Sequence, residues 1–107
     1  MRNKVIVEKM IHYVNKVLSY SNGFDYSSFS ENTITVEACV FNLSQLGELT
    51  TKLDKEYMAE YSDIPWNEMR GLRNKIVHDY EGVNLKLVWE IISEDLPELK
   101  GQLEKLL

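Results

Sequence analysis

Within sixteen residues, from Pro65 to Tyr80, the chain gathers side chains suited to phosphate-ester chemistry: Arg70, Arg73, Asn74, His78 and Tyr80. An arginine stays charged and grips phosphate oxygens with two parallel N–H groups. A histidine, with a reference pKa of about 6.5, gives or takes a proton near neutrality. One reaction open to such a set without a metal is RNA cleavage, in which the 2′-hydroxyl attacks the adjacent phosphate and the 5′-oxygen leaves. That reaction needs proton transfer and neutralisation of charge developing on phosphate. Asn74 could position the phosphate or the hydroxyl. DNA lacks the hydroxyl and does not react by this route. Each residue also has a plainer role. His78 could cap helix carbonyls, Arg73 could pair with Glu68 or Asp79, and Tyr80 could be a core-edge aromatic.

On a helix each residue advances by about 100°. Met69, Leu72 and Ile76 then share one narrow wedge and face a core. Arg70, Asn74 and His78 form one polar edge, with Arg73, Val77 and Tyr80 on a second. Arg73 and His78 fall about 140° apart and do not converge on one straight helix. They converge if the helix bends near His78, or if two copies pack about a twofold axis. The second possibility makes a homodimer an expectation from geometry.

The stretch resembles the HEPN signature: an arginine, four to six residues, a histidine, any residue, a tyrosine. Here those are Arg73, the run Asn74 to Val77, His78, Asp79 and Tyr80. The flanks look like the HepT branch of that family. They include Pro65-Trp66, Gly71-Leu72 before Arg73-Asn74, and Val77-His78-Asp79-Tyr80. Farther off are Ile91-Ile92 near Trp89, Leu96-Pro97, and Gly47-Glu48 upstream. The resemblance spans about residues 5–100. Asn67 stands where the family often has a basic residue. The resemblance implies an all-α antiparallel bundle of four to five helices, paired as a homodimer with a composite cleft. It implies a metal-independent endoribonuclease without a cofactor, with Arg73 and His78 catalytic and Asn74 and Arg70 positioning the RNA substrate. It also implies the toxin of a type VII-like toxin–antitoxin pair, whose antitoxin is a minimal nucleotidyltransferase that transfers AMP to Tyr80. The alternative within the family is a non-catalytic module that holds nucleotides or partners alongside a nucleotidyltransferase.

The formal charge of −5 argues against a large phosphate footprint. Residues 66–80 reverse that sign locally. Arg70, Arg73 and Lys75 face Glu68 and Asp79 for a net of +1, which leaves −6 on the remaining chain. Any contact with nucleic acid is therefore expected to centre on that segment, with a footprint that is small or shared with a second subunit. A single cysteine, Cys39, excludes an internal disulfide and a two-cysteine zinc site within the chain. It lies on an apolar helix face and is expected to be inert. No metal site is expected from two histidines so far apart in sequence. The N-terminus does not read as a signal peptide, because Glu8, Lys9 and His12 interrupt its apolar residues. No run approaches the roughly 20 apolar residues of a membrane span. A cytoplasmic protein, not engaged with a membrane, is the expectation.

The elements that would position the motif read as helices of one domain, residues 1–107. A first helix is predicted from Asn3 to Tyr20, with Val7, Met10, Ile11, Val14, Val17 and Leu18 in one stripe. Ser21-Asn22-Gly23 stops it, and residues 21–32 read as a loop tucked down by Phe24, Tyr26 and Phe29. A second helix capped by Asn32 is predicted to run to about Tyr61. Gly47, inside it, points to a close helix approach. A third starts around Asp63-Ile64-Pro65 and continues to Gly82. Asn84 caps a short fourth, and Asp95 with Pro97 starts a last one.

Overall fold

The computed structural model describes residues 2–78 and 82–107. Two long helices form its frame. α1 (Arg2–Ser21) buries Ile6, Val7, Met10, Ile11, Val14 and Val17, close to the predicted stripe. α3 (Thr33–Thr50) buries Val36, Cys39, Leu43 and Leu46 against it. The pair is antiparallel. Arg2 Nη1 and Asn3 Nδ2 both donate to the Asp54 carboxylate at 3.1 Å, and the Asp54 N–H returns a bond to Asn3 Oδ1 at 3.2 Å. Burial pushes the Cys39 thiol up to about 11, so it stays protonated at neutral pH.

The segment between these rods is not all loop. Residues Tyr26–Glu31 form a short helix, α2, because Asp25 and Ser28 cap it reciprocally. The Ser28 N–H donates to Asp25 Oδ1 at 2.8 Å, and the Asp25 N–H donates to Ser28 Oγ at 3.0 Å. The Ser28 N–H, and with it the Ser28 hydroxyl, donate to the Asp25 carboxyl and hold it below its usual range. Phe29 is fully buried and lies 5.0 Å from the Trp89 ring, whereas Tyr26 stays exposed.

The second predicted helix ends early. α3 stops at Thr50, and α4 (Lys55–Glu60) is a separate piece. Thr50 and Thr51 turn their hydroxyls back onto the Leu46 and Glu48 carbonyls. Asp54 is meanwhile drawn to the start of α1. Asn32 caps α3 through the Thr35 N–H, as its sequence position predicts.

The remaining chain makes two more rods. α5 (Trp66–Arg70) and α6 (Leu72–Ile76) run nearly in continuation, and α7 (Leu85–Glu90) leads through a widened, π-helical turn (Ile91–Asp95) into α8 (Leu96–Glu104). Pro97 does not open a new helix. Asp95 is already helical and makes no side-chain cap, and the Leu96 N–H reaches back to the Ile91 carbonyl across the wide turn. A proline ring crowds the carbonyl four residues before it, and a widened turn relieves that. The architecture is all-α, four rods with two short helices. Its one strand pairing among the described residues is the two-residue ladder of β1 (Val77–His78) and β2 (Gly82–Val83). No helix among the described residues is long and apolar enough to cross a membrane.

Candidate functional site

Trp66 fixes where the site begins. Its indole N–H donates to the Met58 and Tyr61 carbonyls at 3.1 and 3.0 Å, closing the end of α4 against the start of α5. The helix starts at Trp66, with Pro65 at the cap position rather than inside the first turn. Met69, Leu72 and Ile76 are buried, as their spacing predicts. Gly71 separates α5 from α6, but the Gly71 N–H still reaches the Asn67 carbonyl and the Lys75 N–H the Gly71 carbonyl, each at 3.1 Å. The two pieces therefore keep one axis.

The close approach expected at Gly47 is present. A Cβ there would lie 2.7 Å from the Met69 carbonyl oxygen, so the α3 and α5 backbones touch where only glycine fits. The Arg70–Lys75 segment is thereby seated directly on the central helix.

The polar side chains face water. Arg70, Arg73, Asn74 and Lys75 are all exposed. Arg70 Nη2 donates to Asn67 Oδ1 at 3.0 Å, so Asn67 holds a cation in place instead of supplying one. Arg73 makes no ion pair with Glu68. Among the described residues the only ion pair is Arg2–Asp54.

His78 is not on the helix. α6 ends at Ile76, and Val77 and His78 pair in extended form with Val83 and Gly82. The Asn84 N–H donates to the Ile76 carbonyl at 2.8 Å and closes the root of this hairpin. The expected helical edge therefore breaks before His78, and the expected stripe from Arg73 breaks at Val77. Gly82, expected to end the helix, sits instead in β2 with φ of +96°. Val77 and Val83 flanking a short polar stretch with a glycine was the available sequence signal for that hairpin. The His78 side chain and all of Asp79, Tyr80 and Glu81 lie outside the described residues, and the expected AMP acceptor, Tyr80, is among them. Among the described residues, no three His, Cys, Asp or Glu side chains gather in a group that could hold a metal ion.

The family model described as "Ribonuclease HepT-like" matches residues 10–106. A relative from Caldanaerobacter subterraneus subsp. tengcongensis, named provisionally as an RNase, is 31% identical over 94% of this chain and 90% of its own. One from Methanocaldococcus jannaschii, named the same way, is 30% identical over 94% of this chain and 93% of its own. A Thermococcus cleftensis protein, named provisionally as ribonuclease HepT, is 28% identical over 97% and 94%. No solved structure matches the chain significantly.

Proposed function

The chain belongs to the ribonuclease HepT-like family, and on that premise we propose that it is a metal-independent endoribonuclease, the toxin of a type VII-like toxin–antitoxin pair, working as a cytoplasmic homodimer. The observation that carries this reading is the change of backbone at Ile76–Val77. Arg73 and Asn74 stand in water on the last turn of α6, and His78 follows on a strand that has left the helical path. The obstacle posed by a straight helix, an arginine and a histidine about 140° apart, is thereby removed.

In this reading His78 exchanges protons with the 2′-hydroxyl or the leaving oxygen. Arg73 neutralises charge on the phosphate. Arg70, steadied by Asn67, and Asn74 hold the neighbouring backbone of the RNA. An uncovered apolar face on α3 favours a second copy of the chain: Ile34 is 82% exposed and Phe41 59%. Control is by a minimal nucleotidyltransferase that adds AMP to Tyr80. A phosphodiester there places bulk and negative charge two residues from His78.

The test is a labelled RNA incubated with the protein in EDTA. RNA should be cut and the matching DNA left intact. Failure to cut any of several RNA classes would turn the reading to the non-catalytic nucleotide- or partner-binding module, which the net charge of −5 favours. Intact mass after incubation with the partner nucleotidyltransferase and ATP should show added AMP on the wild type and none on Tyr80→Phe. AMP on that variant would move the acceptor to another tyrosine, with Tyr20, Tyr26 and Tyr61 exposed.

A further inference from the structure

The rod that carries the motif has a second face, and the chemistry above does not use it. There, α5 and α6 meet α7, the wide turn and α8 around a groove of about 430 Å³. Its floor is apolar, made by Met69, Leu72, Leu87, Ile91 and Leu99. Its rim carries Asp63, Glu68, Asp95 and Glu98 against one cation, Lys75, a formal charge of −3. All five rim side chains are exposed. None of them is in an ion pair with another described residue. The rim therefore presents a net negative field to solvent.

This combination selects its occupant. A nucleic-acid backbone is repelled by the rim, so the groove is not an extension of an RNA path. A volume in the range of roughly 300–1,000 Å³ takes a few side chains, not a folded domain. An apolar floor under an acidic rim fits a leucine-like anchor flanked by lysine or arginine. The wide turn contributes to both parts, with Ile91 in the floor and Asp95 on the rim. Turns of this kind recur at functional sites. The groove also has a defined address. Lys75 and Leu87 bring it to the root of the 77–83 hairpin, which the Asn84–Ile76 hydrogen bond closes.

We propose that this groove docks a basic, apolar segment of a protein partner, holding that partner beside the motif hairpin while Arg73 and Asn74 remain open. The docking does not depend on whether the motif cuts RNA.

The probes are two amphipathic peptides with one leucine pattern, one carrying lysine and the other glutamate at its polar positions. They are titrated into the full-length ¹⁵N-labelled protein. The lysine peptide should shift the amides of Leu72, Ile91 and Leu99 and leave those of Ile34 and Phe41 unmoved. The double variant Glu68→Gln/Glu98→Gln should weaken its binding roughly tenfold or more. Glu56→Gln/Glu60→Gln, which removes the same charge from α4, should change it by less than about twofold. These positions are all exposed, so the variants keep the fold. Equal weakening by both pairs would overturn the proposal, as would equal binding of the glutamate peptide, shifts confined to another face, or no binding at all. A short single-stranded RNA that moves the same groove amides would overturn it too.

Discussion

α3 and the α5–α6 rod pack against each other, yet they are built to different ends. α3 runs unbroken over 18 residues and buries an apolar row along its length. The α5–α6 rod is interrupted at Gly71, ends at Ile76, and buries Trp66, Met69, Leu72 and Ile76 while its charged residues face water. The long rod supplies core, the short one carries the proposed chemistry, and the contact at Gly47 joins them. Losses in the two regions should therefore appear in different measurements.

The largest expected effect separates them on the chemical side. His78→Ala should lower RNA cleavage by about 10²- to 10⁴-fold. Its thermal midpoint should move by no more than about 2 °C, as expected of a residue held for chemistry and not for the frame. Comparable loss of stability would mean that the hairpin belongs to the frame. Leu43→Ala is the mirror image. Leu43 is fully buried, and its truncation should cost about 2–5 kcal/mol in denaturant unfolding while cleavage per folded molecule is kept.

Gly47→Ala tests the joint. The new methyl meets the Met69 carbonyl, and backbone must shift to admit it. Overpacking of about 1–3 kcal/mol is offset by the ~1 kcal/mol gained in helix propensity, so a net loss of up to about 2 kcal/mol is expected. Because the displaced atoms lie on the strand of chain that leads into Arg70 and Arg73, cleavage should fall as well. A variant that is destabilised but fully active would show that the two rods are uncoupled. The smallest effect is at Asn84→Ala, which removes the cap accepting from the Leu87 N–H at 3.2 Å. About 1 kcal/mol should be lost, with amide exchange rising first around residues 82–88.

Much of the frame is legible in the sequence because periodicity and capping are local. The α1 stripe, the caps at Asn32 and Asn84, the core wedge of Met69, Leu72 and Ile76, and the tight contact at Gly47 all follow from residue type and spacing. The features that escape are those decided by distant partners or by very short elements. α3 ends at Thr50 because Asp54 answers to Arg2 and Asn3, some fifty positions away. α2 hides because its reciprocal cap uses serine, not the more familiar glutamate. The helix end at Ile76 has no punctuation, since Arg73, Asn74 and Lys75 continue a helix without strain, and two-residue strands are too short for an alternating pattern. The acidic groove draws on Asp63, Glu68, Asp95 and Glu98 from separate elements, so no window of sequence contains it.

The clasp of Arg2 and Asn3 on Asp54 also permits an order of events during synthesis. Everything needed to close the α1–α3 pair lies in the first 54 residues. Chains emerge from the ribosome N-terminus first, at about 5–20 residues per second. The frame can thus begin to assemble while Arg73 and His78 are still in the exit tunnel or not yet made. The segment bearing Arg73 and Asn74 then has both partner helices available to pack on as soon as it emerges. The last rod, which supplies half of the acidic groove, follows later still, so any partner that reads the groove meets it only after α8 has been made.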